Sequence, residues 1–421
     1  MKEAYAELQI PVLRDMPFFH ELTVSGAARV ADYGGGASAT GTVWAYNAGI
    51  DWAPVRDLRF RGNYSRSVRA PNLSELYFPA VANFAPGFVD PCSPNQLAGN
   101  PNRPANCLAQ VGGNAAILAG IPNVTQSLPV ITGSNPNLTA ERSRSWTLGL
   151  VAQPRFLPGL SFSVDYYNIR VNNVIVSLTA QAIANNCVDQ PTTDNIFCTL
   201  FQRYLGAGPG PLGEVTGQIR GNTLIQAGVN FAARVRRGID VNLAYRLDIT
   251  PDVRLNTNLI YTHGLQNSNF ENPALPKFEN RILSELGDPK NEFRWDVDLT
   301  YRGFTLGYRM HYIGPMFTSA YENFNALPSA CTAAGCPPLN LDAIEPRSYP
   351  AVFYHDLRAQ WDLNQQFQFY MGVDNVLDTH PPYGLSGTGS ATADAATRAN
   401  ATAAIYDAFG RKVYAGFRAR F

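Results

Sequence analysis

The chain has 421 residues, of which 33 are Lys or Arg and 33 are Asp or Glu, so its formal net charge is zero. This length suits two or three soluble domains or one large β-barrel, and the balanced charge argues against a nucleic-acid-binding surface, which needs clustered Lys and Arg. No stretch approaches the roughly 18 consecutive apolar residues of a membrane-spanning helix, so a transmembrane assignment must rest on β-strands.

The N-terminal residues predict no export signal. The segment Met1-Lys2-Glu3-Ala4-Tyr5 has neither an apolar region nor a cleavage site, and a signal peptide requires both. We therefore expect no signal peptide, and an outer-membrane protein containing this chain would need an export signal from elsewhere.

Alternation of apolar and polar residues is the dominant pattern along the chain. Between residues 304 and 312, Phe, Leu, Tyr, Met and Tyr alternate with Thr, Gly, Arg and His. Similar alternation begins near residues 58, 145 and 293, and this period of two predicts strands with one apolar face. We expect about 13 strands, with boundaries good to a few residues. They begin near residues 2, 22, 42, 58, 142, 160, 233, 252, 291, 303, 351, 366 and 409.

The two faces of these strands favour a transmembrane barrel over a soluble β-sandwich. The polar faces carry full charges beside Gly and Ser, which is typical of a wet lumen. The apolar faces are rich in Trp, Tyr and Phe, often toward strand ends, as in an interfacial aromatic girdle.

The connections between the predicted strands alternate in length. One set is short, as at Pro54–Asp57, Asp248–Asp252 and Arg302–Gly303. The connections of the other set are roughly 70, 55, 25, 35 and 30 residues long, and the short link Gly34–Thr40 is the exception. Outer-membrane barrels have short periplasmic turns and long external loops. This pattern is the strongest physical argument for a barrel in the sequence.

The odd number of strands has a consequence for chain organisation. If the last strand runs down to the periplasm, the first one does too, whereas a single-chain bacterial barrel has an even number of strands and starts from the inside. We therefore expect opening barrel strands that precede this chain. A strand overlooked within residues 215–232 is the alternative.

The six cysteines form three close pairs, each inside one of the long predicted connections. This placement predicts three local disulfides that staple surface loops in an oxidising compartment. Zinc binding is the weaker alternative, because no pair has CxxC spacing and none has a histidine close by. The pairs are Cys92 and Cys107, Cys187 and Cys198, and Cys331 and Cys336.

Several segments resemble TonB-dependent outer-membrane receptors, in the family's order. Tyr64-Ser-Arg-Ser-Val-Arg-Ala-Pro-Asn-Leu-Ser-Glu-Leu-Tyr77 is similar to a strand-to-loop signature of that family. Val164–Ile169, Arg237–Arg246, Gly372–Asp378 and Tyr406–Phe421 resemble later barrel strands. The resemblance implies an all-β, antiparallel transmembrane barrel of 22 strands with a plugged lumen. Residues 1–421 would be the C-terminal part of that barrel, and we expect neither a plug domain nor a TonB box within them.

The C-terminal strand has an apolar stripe that ends on an aromatic residue. Val413, Ala415, Phe417, Ala419 and Phe421 share one face. A terminal aromatic on an amphipathic last strand resembles the signal that the barrel assembly machinery reads by strand addition. We expect Phe417 and Phe421 to carry this signal, and an ordinary final strand is the alternative.

Four aromatic residues of the first long loop are candidate ligand contacts, namely Tyr77, Phe78, Phe84 and Phe88. Exposed aromatics on a rigid loop can stack on a sugar or an aromatic siderophore. The alternative, which we favour, is that they form the loop's own small core.

No catalytic, metal or cofactor site is expected. The glycines of Gly208–Gly213 lack the strand-turn-helix context of a dinucleotide site, and His311 has no nucleophile beside it in sequence. Asp296 and Asp298 could bind a cation, but we interpret them as lumen-facing partners of Arg294, Arg309 or Arg358.

The functional hypothesis is therefore a non-enzymatic transport protein of the bacterial outer membrane. The resemblance implies uptake of a scarce solute such as a siderophore, metal chelate, vitamin or oligosaccharide. Expected partners are outer-membrane lipid, the barrel assembly machinery, a small-molecule ligand, and the TonB complex only through the plug; nucleic acid is not expected. A passive diffusion porin and a soluble all-β interaction protein are the alternatives.

Overall fold

The computed structural model describes residues 1–34, 40–273, 276–317, 348–382 and 405–420. Most of these residues are in β-strands. In chain order the strands are β1 (Lys2–Met16), β2 (Phe19–Asp32), β3 (Thr42–Val55), β4 (Leu58–Arg69), β5 (Val81–Val89), β6 (Thr125–Thr132), β7 (Glu141–Ala152), β8 (Leu160–Ser177), β9 (Ile225–Gln226), β10 (Gly228–Thr250), β11 (Val253–Phe270), β12 (Asn280–Arg281), β13 (Asn291–Tyr301), β14 (Phe304–Ile313), β15 (Met316–Phe317), β16 (Ser348–Tyr349), β17 (Val352–Asp362), β18 (Phe367–Asp374) and β19 (Lys412–Ala419).

One large antiparallel sheet contains most of these strands. Its order is β1-β2-β3-β4-β7-β8-β10-β11-β13-β14-β17-β18-β19, and the two-residue β12 pairs with β11 as a fourteenth member. The 13 strands of the main path begin within a few residues of the positions predicted from alternation. Within the described residues β1 and β19 each pair on one side only, so this sheet is not closed.

A separate three-stranded sheet contains the one short strand that lies wholly within residues 215–232, where the sequence analysis allowed for an overlooked strand. Strand β9 lies in that region, but it pairs in parallel with β6, and β6 pairs antiparallel with β5. These three strands therefore belong to the loops, and the large sheet keeps 13 strands along its main path.

The two edges of the large sheet differ in the length of their connections. Six short turns join strands along what we call the turn edge, at residues 17–18, 56–57, 153–159, 251–252, 302–303 and 363–366. The other six connections, at residues 33–41, 70–140, 178–227, 271–290, 314–351 and 375–411, join strand ends along the opposite edge, which we call the loop edge. The predicted alternation of short and long connections is thus confirmed.

Short helices occur only in these loops within the described chain. None of them is long and apolar enough to cross a membrane. They are α1 (Leu73–Tyr77), α2 (Arg103–Gln110), α3 (Ala115–Ala119), α4 (Ala180–Asp189) and the 3₁₀ helices Pro94–Gly99 and Ile196–Leu200.

Aromatic side chains line up in register on the apolar face. Near the loop edge, directly paired residues across β11, β13, β14 and β17 are Tyr261, Phe293, Tyr312 and Phe353. Near the turn edge, paired residues from β13 to β19 are Tyr301, Phe304, Trp361, Phe369 and Phe417. The rows lie eight residues apart on β13, which is about 26 Å along the strand. With a strand tilt of roughly 40° the two rows are about 20 Å apart along the barrel axis, close to the roughly 25 Å height of a transmembrane barrel's apolar band.

An ion pair crosses an intervening strand on the polar face. Arg61 of β4 lies opposite Gly149 of β7, which lies opposite Asp165 of β8. The Arg61 Nε donates to Asp165 Oδ1 over 2.8 Å. A Cβ at position 149 would lie 2.1 Å from that carboxylate oxygen and 2.7 Å from the same nitrogen. The absence of a side chain at Gly149 is therefore what lets the pair span three strands.

The same arrangement recurs at the other side of the sheet. Asp298 of β13, Gly307 of β14 and Arg358 of β17 are directly paired in register. The Arg358 Nη2 donates to both carboxylate oxygens of Asp298 over 2.7 Å. We call these two arrangements the glycine bridges. In each, an arginine and an aspartate on the polar face pair across the strand that carries the glycine.

The two aspartates of β13 have the arginine partners predicted for them. Asp296 accepts hydrogen bonds from Arg294 at 3.0 Å and from Arg309 at 2.6 Å, and Asp298 pairs with Arg358. Each carboxylate is therefore neutralised by a basic side chain of the same polar face.

Candidate functional site

Two loops at the loop edge fold together into one compact unit. We define the loop unit as residues 70–140 and 178–227. Its core combines buried side chains from both loops, namely Phe88, Cys92, Cys107, Val111, Ile121, Leu128, Val130, Ala180, Ile183, Ala184, Cys187, Val188, Phe197, Leu200, Phe201, Ile219 and Leu224, and it continues onto Val229 of β10. Because both loops contribute to this one core, they pack against each other and form a single folded surface at the loop edge.

Two of the three predicted disulfides are present in the loop unit. Cys92 bonds Cys107 and Cys187 bonds Cys198, and the sulfurs at positions 92, 107 and 187 are in the core. Both close short loops, with sequence separations of 15 and 11 residues. Cys331 and Cys336 lie outside the described residues.

Removing a disulfide should loosen the loop unit without unfolding the large sheet. For Cys92→Ser with Cys107→Ser we expect a loss of about 3 kcal/mol in local stability, from the greater entropy of the opened loop. Limited proteolysis would measure this as faster cleavage within residues 70–140, while gel migration before and after heating reports on the sheet. Unchanged cleavage would contradict the prediction.

Polar contacts tie the two loops of the unit together. Arg103 of α2 pairs with Asp189 of α4, its Nε lying 2.5 Å from the carboxylate. Gln181 exchanges two hydrogen bonds of 2.8 Å with the backbone of Val89. These contacts join residues more than 80 positions apart in sequence, so the unit depends on tertiary folding.

The most buried ion pair of the unit lies between Asp90 and Arg203. Their side chains are 6% and 1% exposed, and Nη1 lies 2.8 Å from Oδ2. Asp90 also accepts a hydrogen bond from the Cys92 amide, and Arg203 donates to the Gly217 carbonyl. The pair therefore links the first disulfide to the tip of the second loop.

The segment that resembles the family's strand-to-loop signature anchors the unit to the sheet. Arg69, the last residue of β4, pairs with Glu75 at 3.1 Å and with Glu141 at 2.6 Å. Asn72 caps α1 and forms a capping box with Glu75, an arrangement that satisfies the free N–H groups of the first helical turn. The signature thus fixes the angle at which the chain leaves β4.

The four candidate aromatics separate into two groups. Tyr77, Phe78 and Phe84 are 47%, 52% and 63% exposed, whereas Phe88 is 1% exposed. The prediction that Phe88 contacts a ligand is therefore wrong, because its ring packs in the core of the loop unit. For Phe88 the alternative of a loop core applies, while the other three remain candidate contacts at the surface.

Glu214 closes a hairpin at the tip of the second loop. Its carboxylate accepts hydrogen bonds of 2.8 Å from the Leu212 and Gly221 amides. Burial alone would raise the pKa of Glu214, but the backbone hydrogen bonds and nearby Arg220 outweigh it and hold this pKa below its ordinary value. The ionised carboxylate therefore stabilises the folded hairpin.

This shift predicts acid sensitivity of the hairpin. The pKa is lower in the folded state than in the unfolded state, so the stabilisation is present at neutral pH and is lost as pH falls through the folded-state pKa. Hydrogen exchange should show that protection of the Leu212 and Gly221 amides decreases there. In Glu214→Gln protection should be lower at neutral pH and independent of pH across this range. The same acid response in both proteins would contradict the assignment.

A polar cleft of about 700 Å³ opens on the polar face at the loop edge, beside the ends of β11 to β19. Its charged and polar lining comprises Thr262, Glu292, Arg294, Arg309, His311, Tyr354, Asp356, Asp374, Asn375, Asp407 and Lys412. Such a lining suits a polar solute that hydrogen-bonds with both donors and acceptors.

Two interactions hold the cleft wall in place. The His311 Nε2 lies 3.0 Å from the Glu292 carboxylate, so His311 is engaged as a polar wall residue. Tyr406 is 2% exposed and packs with Ile313 and Tyr354, which positions the neighbouring Asp407. The sequence indicated the charges of β13 and β14, whereas the contribution of residues 405–407 depends on tertiary packing.

The remaining sequence candidates have simple structural roles. Gly208–Gly213 lies in the tip of the second loop, outside any strand or helix. Among the described residues no group of three or more His, Cys, Asp or Glu side chains could hold a metal ion. Phe417 lies exposed on β19, 67% accessible, in the aromatic row of the turn edge, and Phe421 lies outside the described residues.

Comparison with solved structures shows similarity across the whole chain. It is 14% identical to the siderophore receptor PirA from Acinetobacter baumannii, covering 100% of this chain and 45% of that one with a TM-score of 0.56. It is 16% identical to a variant of the ferric enterobactin receptor PfeA from Pseudomonas aeruginosa in complex with enterobactin, with coverage of 100% and 45% and a TM-score of 0.57. At such identities the similarity is one of fold.

The chain therefore spans less than half the length of the solved structures that it matches. A search of curated proteins gave no significant match. The family model for the TonB-dependent receptor-like β-barrel, however, matches residues 2–376, most of the chain. Together with the 13-strand meander, this match establishes that the chain belongs to the TonB-dependent receptor β-barrel family.

Proposed function

We propose that this chain forms the C-terminal part of a 22-stranded outer-membrane barrel whose receptor takes up a scarce polar solute. The observation that carries the proposal is the position of the loop unit. A disulfide-bonded surface with its own core lies on the same edge as the polar cleft, where a solute would arrive from outside.

Iron-siderophore complexes are the first candidate class of solute. Two structural neighbours are described as receptors for siderophores or ferric enterobactin. The exposed rings of Tyr77, Phe78 and Phe84 offer faces on which an aromatic chelator could stack, and the cleft offers hydrogen-bonding partners for its polar groups.

Location in the outer membrane is supported by the two aromatic rows. They flank an apolar band about 20 Å high, close to the roughly 25 Å of a transmembrane barrel, and the loop edge would face outward. We assign membrane assembly to the C-terminal strand with Phe417 and Phe421. We assign energy coupling to a plug domain and the TonB complex rather than to the strands and loops described above.

Uptake of radioactive iron by intact cells tests this function. Cells that lack the intact protein should lose uptake of at least one iron-siderophore complex from a panel, and re-expression should restore it. A protonophore should abolish the restored uptake, because the TonB complex uses the energised inner membrane. Restored uptake that resists the protonophore would instead identify a passive porin.

A matched pair of variants connects uptake to the loop edge. Glu292→Gln with Asp356→Asn alters the polar cleft, whereas Asp252→Asn alters an exposed ion pair of the turn edge. We expect the cleft variant to raise the substrate concentration for half-maximal uptake about tenfold or more, since hydrogen bonds to charged groups contribute roughly 1.5–3 kcal/mol each. The turn variant should behave as wild type.

A further inference from the structure

Three arginines lie in one row across neighbouring strands near the loop edge. Arg66 of β4 is directly opposite Arg144 of β7, and Arg144 is directly opposite Arg170 of β8. Arg142 lies two residues from Arg144 on β7, toward the loop edge. We call Arg66, Arg142, Arg144 and Arg170 the arginine row.

The arginine row lies on the apolar face of the sheet. On β4 and β7 the polar face is marked by Arg61 of the first glycine bridge and by the hydrogen-bonded hydroxyls of Ser65 and Ser145. Side chains at the alternate positions point the other way. There Tyr64 and Trp146 are directly paired, both at least 40% exposed.

The row has no counter-charge within the described chain. On the opposite face of β4, Arg61 pairs with Asp165 and Arg69 pairs with Glu141, but none of the four arginines in the row forms an ion pair with a described residue. Two guanidinium groups lie near aromatic rings instead: Arg66 is 6.0 Å from the ring centre of Tyr46, and Arg170 is 5.5 Å from that of Phe270.

Like charges at directly opposite positions of a sheet repel one another and are destabilising. Their side chains start only about 4.5–5.5 Å apart. Such a row is therefore suited to an external anion that several guanidinium groups can share. Phosphate fits best, because a guanidinium group binds it through two parallel hydrogen bonds.

The depth of the row in the membrane identifies the source of the phosphate. Tyr64 and Trp146 are the aromatic residues nearest the loop edge on the apolar faces of β4 and β7, and each lies two residues, about 7 Å along the strand, on the turn-edge side of Arg66 or Arg144. Girdle aromatics sit at the boundary between apolar chains and headgroups. The arginines thus lie at headgroup height on the outer surface of the barrel wall.

We propose that the arginine row binds a phosphorylated lipid headgroup of the outer leaflet. This inference rests on the proposed outer-membrane location but concerns a site outside the lumen. Bound lipid would neutralise the row and hold lipid against β4, β7 and β8, the strands that carry the loop unit.

Native mass spectrometry of the intact protein in detergent tests the proposal. The probes are lipid A, a glucosamine glycolipid with two phosphates, and the same lipid after removal of both phosphates. The test variant replaces the row with glutamine: Arg66→Gln, Arg142→Gln, Arg144→Gln and Arg170→Gln. The matched control removes four exposed positive charges near the turn edge: Arg14→Gln, Arg56→Gln, Arg246→Gln and Arg420→Gln.

Wild type and the control should bind lipid A on the order of a hundredfold more tightly than the row variant, since each arginine near an anionic surface contributes. Removal of the phosphates should abolish the difference, and four lysines in the row should retain part of the affinity. Equal binding of both lipids by wild type, or equal binding of lipid A by wild type and the row variant, would overturn the proposal.

These outcomes are separate from the test of function. Gel migration before and after heating reports whether each variant forms a barrel. If the row variant does not, wild type alone tests the lipid site, through its binding of lipid A with and without the phosphates. Loss of phosphate preference with normal iron uptake refutes only the lipid site. Normal phosphate preference without any protonophore-sensitive uptake refutes only the receptor function.

Discussion

Replacing Gly149 with alanine should destabilise the large sheet by about 1–3 kcal/mol, the usual cost of forcing an extra methyl group into a packed site. The new Cβ would lie 2.1 Å from Asp165 Oδ1 and 2.7 Å from Arg61 Nε, so the glycine bridge could not form as it is. Arg61 and Asp165 would each have to find water or another partner. Thermal or urea unfolding of the purified protein in detergent would measure the loss.

Gly26→Ala is the matched control. Gly26 also lies within a paired strand of the large sheet, but its nearest neighbour to an added Cβ is the Asn47 carbonyl oxygen at 3.7 Å, an ordinary contact. Its effect on unfolding should be small. Adding Arg61→Ala to the Gly149→Ala protein should cost little more, because the bridge is already broken. Equal stability of the Gly149→Ala and Gly26→Ala proteins would show that the bridge contributes nothing.

Replacing Arg203 with methionine should open the loop unit and leave the large sheet folded. The substitution leaves the 6% exposed Asp90 carboxylate without its basic partner, and removing one partner of a buried pair typically costs 3–5 kcal/mol. It also removes the hydrogen bond to the Gly217 carbonyl. We expect faster proteolysis and hydrogen exchange within residues 70–140 and 178–227, with gel migration before and after heating unchanged.

Two further variants separate this effect from a general loss of charge. Arg155→Met removes a 72% exposed partner of Asp57 in a short turn and should change stability by less than about 1 kcal/mol. Arg203→Met combined with Asp90→Leu should be less harmful than Arg203→Met alone, because no buried charge is then left unpaired. A double variant that is worse than the single one would contradict the assigned role of the pair.

The strands and their uneven connections could be predicted because they depend on local patterns. A period of two in β13 and β14 reports directly on which side chains share a face, and the partners of Asp296 and Asp298 followed from that. The disulfides at Cys92–Cys107 and Cys187–Cys198 could also be predicted, since each pair is close in sequence.

The loop unit could not be predicted in the same way. Its contacts join residues far apart in the chain, such as Arg103 with Asp189 and Arg203 with Asp90. Local pattern does not indicate which of two loops a side chain will face. Phe88 illustrates this, because it follows Phe84 in the same short strand, yet Phe84 is 63% exposed and Phe88 is 1% exposed.

The sequence alone determined the fold class and the edge at which the loops lie, because alternation and connection length are properties of neighbouring residues. Only the tertiary structure decided the register between strands. Register places Gly149 between Arg61 and Asp165, and it places Arg66, Arg144 and Arg170 in one row on the other face. Because a shift of one residue would send each of these side chains to the opposite face, the bridge and the arginine row are properties of the folded sheet.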